Sequence, residues 1–363
     1  MLRIGIDYRL ATNTNRGIGT YLRELVSSLS EMDRDNEYIL YTDNFTDISH
    51  LGKNFKLSVI DQKNYILFEQ VHLPLAARRD NLDILWCPAN TFPIFLPHKI
   101  KLFLTLNDLI FMHKSFYYNV SLKHRLGGYY RSFIVSHFKK HIDTVFTISD
   151  SVKDEIADVL KLDVIVTHIK IDSFHNLVKE KKQTNILSDL GLTKQSYFYT
   201  VSGLTPNKNL DTLLTAFKNY HFSDKLVISG IFDVSHIPDK YTYNNNKVIF
   251  TGEISKYEMI DLYRNAKAFI FLSTDEGFGI PVLEALNFPV PIIASDIPPI
   301  KEIVDNAAIL IDPYNLNEIL DAMYNVNSTE SKYYYRKKQL SKFMNWEETA
   351  NVILTAFTKN IKI

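Results

Sequence analysis

The sequence predicts an α/β protein of two doubly wound parallel sheets, and three observations carry that expectation. Short runs rich in Val, Ile, Leu and Phe alternate along the chain with longer amphipathic stretches, the order that strand–helix–strand units produce. The short runs are continuously apolar rather than alternating, which marks strands covered on both faces. The chain has 363 residues, and at roughly 100–200 residues per domain that length favours two domains over one.

In the first half the strand candidates are Leu2–Asp7, Tyr38–Tyr41, Leu57–Ile60, Ile84–Cys87, Leu102–Leu106, Val145–Ile148 and Val164–Thr167. Helical patterns lie between them, notably Tyr21–Leu29, Tyr117–Lys140 and Ser151–Leu160. Tyr197–Val201, Leu226–Ser229, Val248–Thr251, Phe269–Leu272, Ile292–Ala294 and Ile309–Ile311 repeat the scheme in the second half. Between the halves, the stretch Phe174–Gln195 contains a polar run at Lys179–Gln183 and then Gly191, a linker composition. Open α/β sheets bind ligands outside the carboxyl ends of their strands. Two such domains facing each other are therefore expected to build one cleft from loops of both.

Composition narrows the class. With 41 basic and 41 acidic side chains and 13% aromatics, the chain has the opposite of the signature of disorder. Cys87 is the only cysteine, so an internal disulfide is ruled out and a reducing compartment is indicated. The opening Met1–Asp7 meets an aspartate before any long apolar stretch, unlike a signal peptide, and no run approaches the ~20 apolar residues of a membrane span. The chain reads as soluble and cytoplasmic. Its charge is uneven, however. The segment Lys99–His141 carries Lys123, Arg125, Arg131, Lys139 and Lys140 among its cations, many aromatics, and Asp108 as its sole acid. Such a segment suits an anionic membrane surface or a nucleic acid, or is a solvated helix face over core aromatics; no nucleic-acid recognition motif accompanies it.

The strongest local signal is Ser273–Leu286, where a predicted strand runs through Glu276-Gly277-Phe278-Gly279-Ile280-Pro281 into a helix. Pro281 suits a first helical position, and the glycines let backbone approach a ligand closely. Amides from Ile280 through Val282 and Leu283 at a helix start would favour a phosphate. Glu276 and Glu284, expected before the turn and in the first helical turn, would repel one and better suit hydroxyls of a sugar or ribose. Gly17 and Gly19 are expected in the loop after the first strand, a second place for backbone amides to meet a ligand. Asp33-Arg34-Asp35 reads as a surface turn, Cys87 as a packed core thiol, and His137 with His141 as a solvated face, so no metal site is expected. The sequons at Asn44, Asn119 and Asn327 carry little weight in a chain read as cytoplasmic.

These segments resemble the retaining, metal-independent glycosyltransferases of family four, whose hallmark is two glutamates with seven residues between them, here Glu276 and Glu284. The likeness extends through Phe250–Gly252, Leu262–Ala266, Pro291–Asp296, Glu302–Val304 and Ala308–Pro313, and ends at Trp346–Ala350. Ile4–Arg9 and Gly17–Tyr21 resemble a subgroup rich in mannosyltransferases for bacterial surface polysaccharides. The resemblance implies the GT-B fold, two facing Rossmann-like domains. Residues 1–175 would bind the acceptor and 176–345 the nucleotide sugar, and 346–363 would form a helix crossing back onto the first domain.

Carried over residue by residue, Glu284 would hold ribose hydroxyls. Glu276 and the backbone after Gly277 would hold the transferred sugar, and Lys208 would neutralise the diphosphate. Ser202, Gly203, Gly252, Phe278 and Gly279 complete the implied donor site. Two positions depart from the family pattern. Gly203 stands where an arginine is usual, and Asn107-Asp108 where a histidine precedes the aspartate. Asn107 keeps hydrogen-bonding capacity but cannot carry a proton near neutral pH, and Asp108 is the candidate for positioning an acceptor hydroxyl.

The implied activity is transfer of a hexose, with mannose from GDP-mannose favoured, to a lipid-linked glycan such as O-antigen or capsule, without cofactor or metal. Lys123, Arg125, Arg131, Lys139 and Lys140 would then touch the inner membrane face. Two alternatives stay open: a catalytically impaired binding subunit of the same fold, and a synthase acting on a small sugar phosphate.

Overall fold

The computed structural model describes all residues except 14–16, 118–119, 232, 239–240, 242–246, 327–332 and 360–363; the sequons at Asn119 and Asn327 lie outside the described residues. Two compact units divide the chain, one formed by Met1–Tyr117, Ser121–Lys170 and Asn345–Ile363, the other by Tyr118–Val120 and Ile171–Met344.

The first unit holds a 7-stranded sheet of β1 (Arg3–Asp7), β2 (Glu37–Thr42), β3 (Phe55–Val59), β4 (Ile84–Cys87), β5 (Lys101–Leu106), β6 (Thr144–Thr147) and β7 (Val164–Val166), in the order β3-β2-β1-β4-β5-β6-β7. Every pairing is parallel, which is why β4 and β6 are buried along their whole length and read as unbroken apolar runs. One face packs Leu85, Cys87, Leu102 and Leu104 against helices from 73 to 160. On the other face, Phe357 of the terminal helix Trp346–Lys359 lies edge-on to Trp86 and Phe103, with centroids 6.1 and 5.3 Å apart, while Trp346 meets Tyr21 at 5.7 Å. Lys170 Nζ adds an ion pair to Glu348 at 2.9 Å, and Thr349 donates to the His168 carbonyl at 2.8 Å. Asp33, read from sequence as part of a surface turn, is buried instead. Its carboxylate accepts from the Asp35 amide and from the Tyr38 hydroxyl at 2.9 and 2.7 Å, so the turn is held from inside.

The second unit holds a 6-stranded sheet of β8 (Tyr197–Val201), β9 (Lys225–Ser229), β10 (Val248–Phe250), β11 (Ala268–Phe271), β12 (Ile292–Ser295) and β13 (Ile309–Ile311), ordered β10-β9-β8-β11-β12-β13 and again all parallel. Its core gathers Leu213, Leu214, Leu226, Ile228, Ile270 and Ile293. The stretch with linker composition is only partly a linker. Asp172–Lys179 is a helix, and its Phe174 stands edge-on to Tyr263 and Phe288 at 6.4 and 6.3 Å. Aromatic burial there outweighs the polar residues that follow. The exposed turn is confined to the charged run, where Lys181 takes a positive φ of 52°.

Candidate functional site

In the second sheet, successive strands build outward from β8 in one direction and from β11 in the other. The loops after β8 and β11 therefore diverge at a topological switch point, the place where open α/β sheets bind ligands. Both loops are knit together there. The Thr274 amide donates to the Asn207 carbonyl at 2.8 Å, and Asn207 Nδ2 donates to the Asp275 carbonyl at 3.1 Å. A short turn, Pro206–Lys208, then delivers Lys208, whose ammonium pairs directly with Glu276 Oε1. The side chains of Lys208 and Glu276 are only 27% and 13% exposed, so this is a half-buried ion pair, less screened than a surface one. The Lys208 Nζ also sits 5.6 Å from the centre of the Phe271 ring. Two side chains 68 residues apart, assigned separately to diphosphate and sugar, thus hold each other.

Glu284 lies in the second turn of the helix Ile280–Ala285, later than the first-turn position expected. Its Oε2 accepts from the Tyr263 hydroxyl at 2.9 Å. Burial pushes the carboxyl up to about 7, with Tyr263 and then Lys256 drawing it partly back. A carboxyl poised near neutrality beside a glycine-rich strand-end loop is a functional-site signal with a physical cause, desolvation. The helix start itself corrects the sequence reading. Pro281 has no N–H, and the Val282 and Leu283 amides already donate to the Gly279 carbonyl at 2.9 and 3.2 Å, so the row of free amides expected from Ile280 to Leu283 does not exist. Val282 and Leu283 have 0% exposure and Phe278, 2% exposed, packs edge-on against Phe343 at 5.6 Å; all three are core residues. Gly279, at φ 115°, admits no side chain, because a Cβ would come within 2.5 Å of Ile300.

Ser202 and Gly203 follow β8 in the same loop, and Gly252, at φ 69°, follows β10. Sequence reasoning missed Gly230, which ends β9 at φ 96° and would bring a Cβ to 2.4 Å from the Ser202 carbonyl. Its signal was available, a glycine directly after a predicted strand. Tyr263, the partner of Glu284, was visible only within Leu262–Ala266, a segment of the family resemblance.

The first unit disposes of its expected residues differently. Helix Arg9–Asn13 follows β1, and Gly17 opens the next helix, Gly17–Met32, with Gly19 buried in its first turn; the two glycines are not the open loop expected. Asn107 is 1% exposed, with Nδ2 donating to the Pro88 carbonyl at 3.0 Å and its amide donating to Asn90 Oδ1 at 2.6 Å. Through these bonds it holds the turn after β4. Asp108 accepts from the Ile110 amide at 3.1 Å. Of the five expected docking cations, Lys123, Arg125 and Lys140 are exposed. Lys139, which follows helix Leu122–Phe138 as its C-cap, donates instead to the Leu160 carbonyl, and Arg131, inside that helix, turns its guanidinium toward Phe111, 5.6 Å from the ring centre. Among the described residues no helix is long and apolar enough to cross a membrane.

Comparison with known proteins finds a family match to part of the chain and relatives of similar architecture. Residues 182–341 match the family described as "Glycosyl transferases group 1". The O-antigen chain mannosyltransferase RfbU of Salmonella typhimurium is 30% identical over 62% of this chain and 65% of its own length. A serotype-specific mannosyltransferase, WbdA of Escherichia coli, is 23% identical over 60% of this chain and 29% of its own. The chain thus spans just under two thirds of the first relative and under one third of the second. Among solved structures, the sucrose-phosphate synthase of Thermosynechococcus elongatus superposes with a TM-score of 0.75 over 99% of both chains at 14% identity. That similarity shows the shared GT-B fold.

Proposed function

We propose that this chain, whose residues 182–341 match the family described as "Glycosyl transferases group 1", is a retaining hexosyltransferase that moves mannose from a nucleotide-diphosphate sugar to a hydroxyl of a surface glycan. The sugar and the acceptor class rest on the mannosyltransferases it resembles. The observation that carries the reading is the half-buried Lys208–Glu276 pair at the switch point of the second sheet. A bound diphosphate offers Lys208 a stronger partner than Glu276. Lys208 shifts to the phosphate, and Glu276 is released to accept hydrogen bonds from hydroxyls of the sugar. Glu284 accepts from the ribose.

As the bond between the anomeric carbon and the diphosphate oxygen breaks, negative charge grows on the leaving group. Lys208 opposes that charge in a site where solvent screens it little. The acceptor oxygen attacks the anomeric carbon from the face the diphosphate leaves, and its proton passes to the departing phosphate oxygen. The products are the glycoside and the nucleoside diphosphate, with configuration retained and no side-chain base used. Since Lys208 supplies the charge, no metal is required in this reading.

A thermal-shift panel of UDP, GDP and ADP with and without EDTA tests it. One nucleotide, GDP on the present reading, should raise the melting temperature and do so equally with chelator. At 100 times the dissociation constant the gain is about 2.7 kcal/mol. No shift with any nucleotide would sink the proposal. The buried Asn107 favours a second reading, a subunit that binds donor without turnover; sugar transfer or donor hydrolysis by the wild-type chain excludes it.

The acceptor is lipid-linked on this reading, and helix Leu122–Phe138 supplies the membrane contact. Leu122, Leu126, Tyr129 and Phe133 are 69%, 59%, 55% and 51% exposed and share one helical stripe, flanked by the exposed Lys123 and Arg125. Apolar insertion then joins cation attraction of about 1 kcal/mol per well-placed charge. Flotation with phosphatidylglycerol-containing vesicles should carry the wild-type chain, and a Leu126→Glu, Phe133→Glu double variant should stay behind. Equal flotation of the two removes this helix from the contact.

A further inference from the structure

The first sheet has its own switch point, between β1 and β4, and it holds a charge imbalance that stability does not explain. Asp7 and Glu69, 3% and 1% exposed, converge on a single cation, Arg9, 5% exposed. Arg9 is committed to Asp7, donating from Nε at 2.9 Å and from Nη2 at 2.5 Å, and is clasped between the rings of Tyr65 and Phe68 at 4.3 and 4.0 Å. Glu69 Oε2 is left 3.8 Å from Arg9 and has no hydrogen bond. Glu69 is therefore the surplus negative charge, and burial pushes its carboxyl above the usual range. A buried carboxylate with one oxygen left without a donor is costly, and an apolar residue of similar volume is often better tolerated.

What Glu69 does instead is tie segments together. Residues Phe68–His72 form a π-turn within the helical stretch 65–79, a local widening often found at functional sites. It lets the consecutive side chains of Glu69 and Gln70 serve the same neighbourhood. Glu69 Oε1 accepts from Thr91 Oγ1 at 2.9 Å and from the Tyr130 hydroxyl at 2.5 Å. Gln70 donates to the Phe92 carbonyl and accepts from the Ile94 amide, both at 2.9 Å. The segment 88–94 leaves the carboxyl end of β4 into the switch-point crevice, and it is pinned on this side by Glu69 and Gln70. Asn107 pins it on the other through Pro88 and Asn90. The Asn107 Oδ1, like Glu69 Oε2, is a buried oxygen with no hydrogen-bond donor. Two donor-hungry oxygens thus flank one loop at a ligand-binding position of the fold.

We propose that Glu69 is a positioning residue for the glycan acceptor: it sets segment 88–94 so that the crevice between β1 and β4 receives a hydroxyl-bearing saccharide. The proposal rests on the transferase reading above. Glu69 and Thr91, each 1% exposed, do not touch the acceptor; they act by fixing the path of segment 88–94.

The test uses the full-length chain with Glu69→Gln, which keeps the shape and removes the charge, and Thr91→Val, which removes one bond of the network. Hydrogen exchange at the amides of 89–92 and 94 should accelerate in both variants while GDP affinity stays unchanged. With octyl α-mannoside as acceptor, KM should rise ~10-fold or more with kcat little altered, as expected for a misplaced binding loop. Unchanged exchange at 88–94 overturns the proposal even in a chain that transfers nothing. An unchanged acceptor KM overturns it where transfer is seen, and a parallel fall in melting temperature and GDP affinity reduces Glu69 to a structural role. Failure of the transferase reading shows separately, as absence of nucleotide binding by the wild-type chain.

Discussion

Lys208→Ala is expected to lower kcat/KM for the donor by about 10²–10³, the usual cost of removing one preorganised group that faces developing charge. The alternative cause of a loss, an unpaired Glu276 in a half-buried position, can be separated from the catalytic one. Adding Glu276→Gln to Lys208→Ala removes the orphaned charge and should restore thermal stability. It should not restore turnover, since the leaving diphosphate still lacks its cation. Recovery of activity in the double variant, or activity within about threefold of wild type in Lys208→Ala, would show that the lysine serves the loop and not the leaving group.

Glu284→Gln should reveal its effect through pH. The carboxyl stands at about 7 in the folded chain and at 4.5 in its unperturbed state. Between those values the folded state keeps a proton that the unfolded state has released, so this group's contribution to stability falls as pH rises from about 4.5 through 7. Above 7 the charged carboxylate sits buried at its full cost, roughly 2 kcal/mol once residual solvent access is allowed for. The amide removes that cost. The variant should therefore melt higher than wild type at pH 8 and alike at pH 4. Donor binding should move the opposite way. Ribose hydroxyls favour the ionised acceptor, so wild-type nucleotide affinity should weaken as pH drops through 7, while Glu284→Gln binds about tenfold more weakly at pH 8 with a flat profile. A variant whose affinity still follows the wild-type pH curve would assign the titration to another group.

The strands were legible because parallel sheets bury both faces, and Ile84-Leu85-Trp86-Cys87 or Ile292-Ile293-Ala294 can hardly serve another end. Helix limits were less so. Phe174 draws Asp172–Lys179 into a helix through ring contacts with Tyr263 and Phe288, and those partners are distant in sequence. The same limit applies to the site. The residues Lys208, Glu276 and Glu284 could be picked out from local motif and resemblance, since strand-end loops with Gly, Pro and acids keep their chemistry close in sequence. Their relations could not. The Lys208–Glu276 pair exists because β8 and β11 are neighbours in the sheet. The value of Glu284 near 7 exists because the folded chain buries the carboxyl, with the Tyr263 hydroxyl drawing it only partly back. Sequence equally could not tell which of the cations along helix Leu122–Phe138 face inward, as Arg131 does, or that Val282 and Leu283 spend their amides on Gly279.

By itself, then, the sequence determined the class of fold, the number of parallel sheets and the loops of the candidate site, because apolar runs and turn residues act over a few neighbours. Tertiary structure alone decided which charges meet, which are stranded and which amides remain for a ligand. Desolvation and Coulomb attraction depend on distance and burial in space, and adjacent strands bring together residues that the chain keeps far apart.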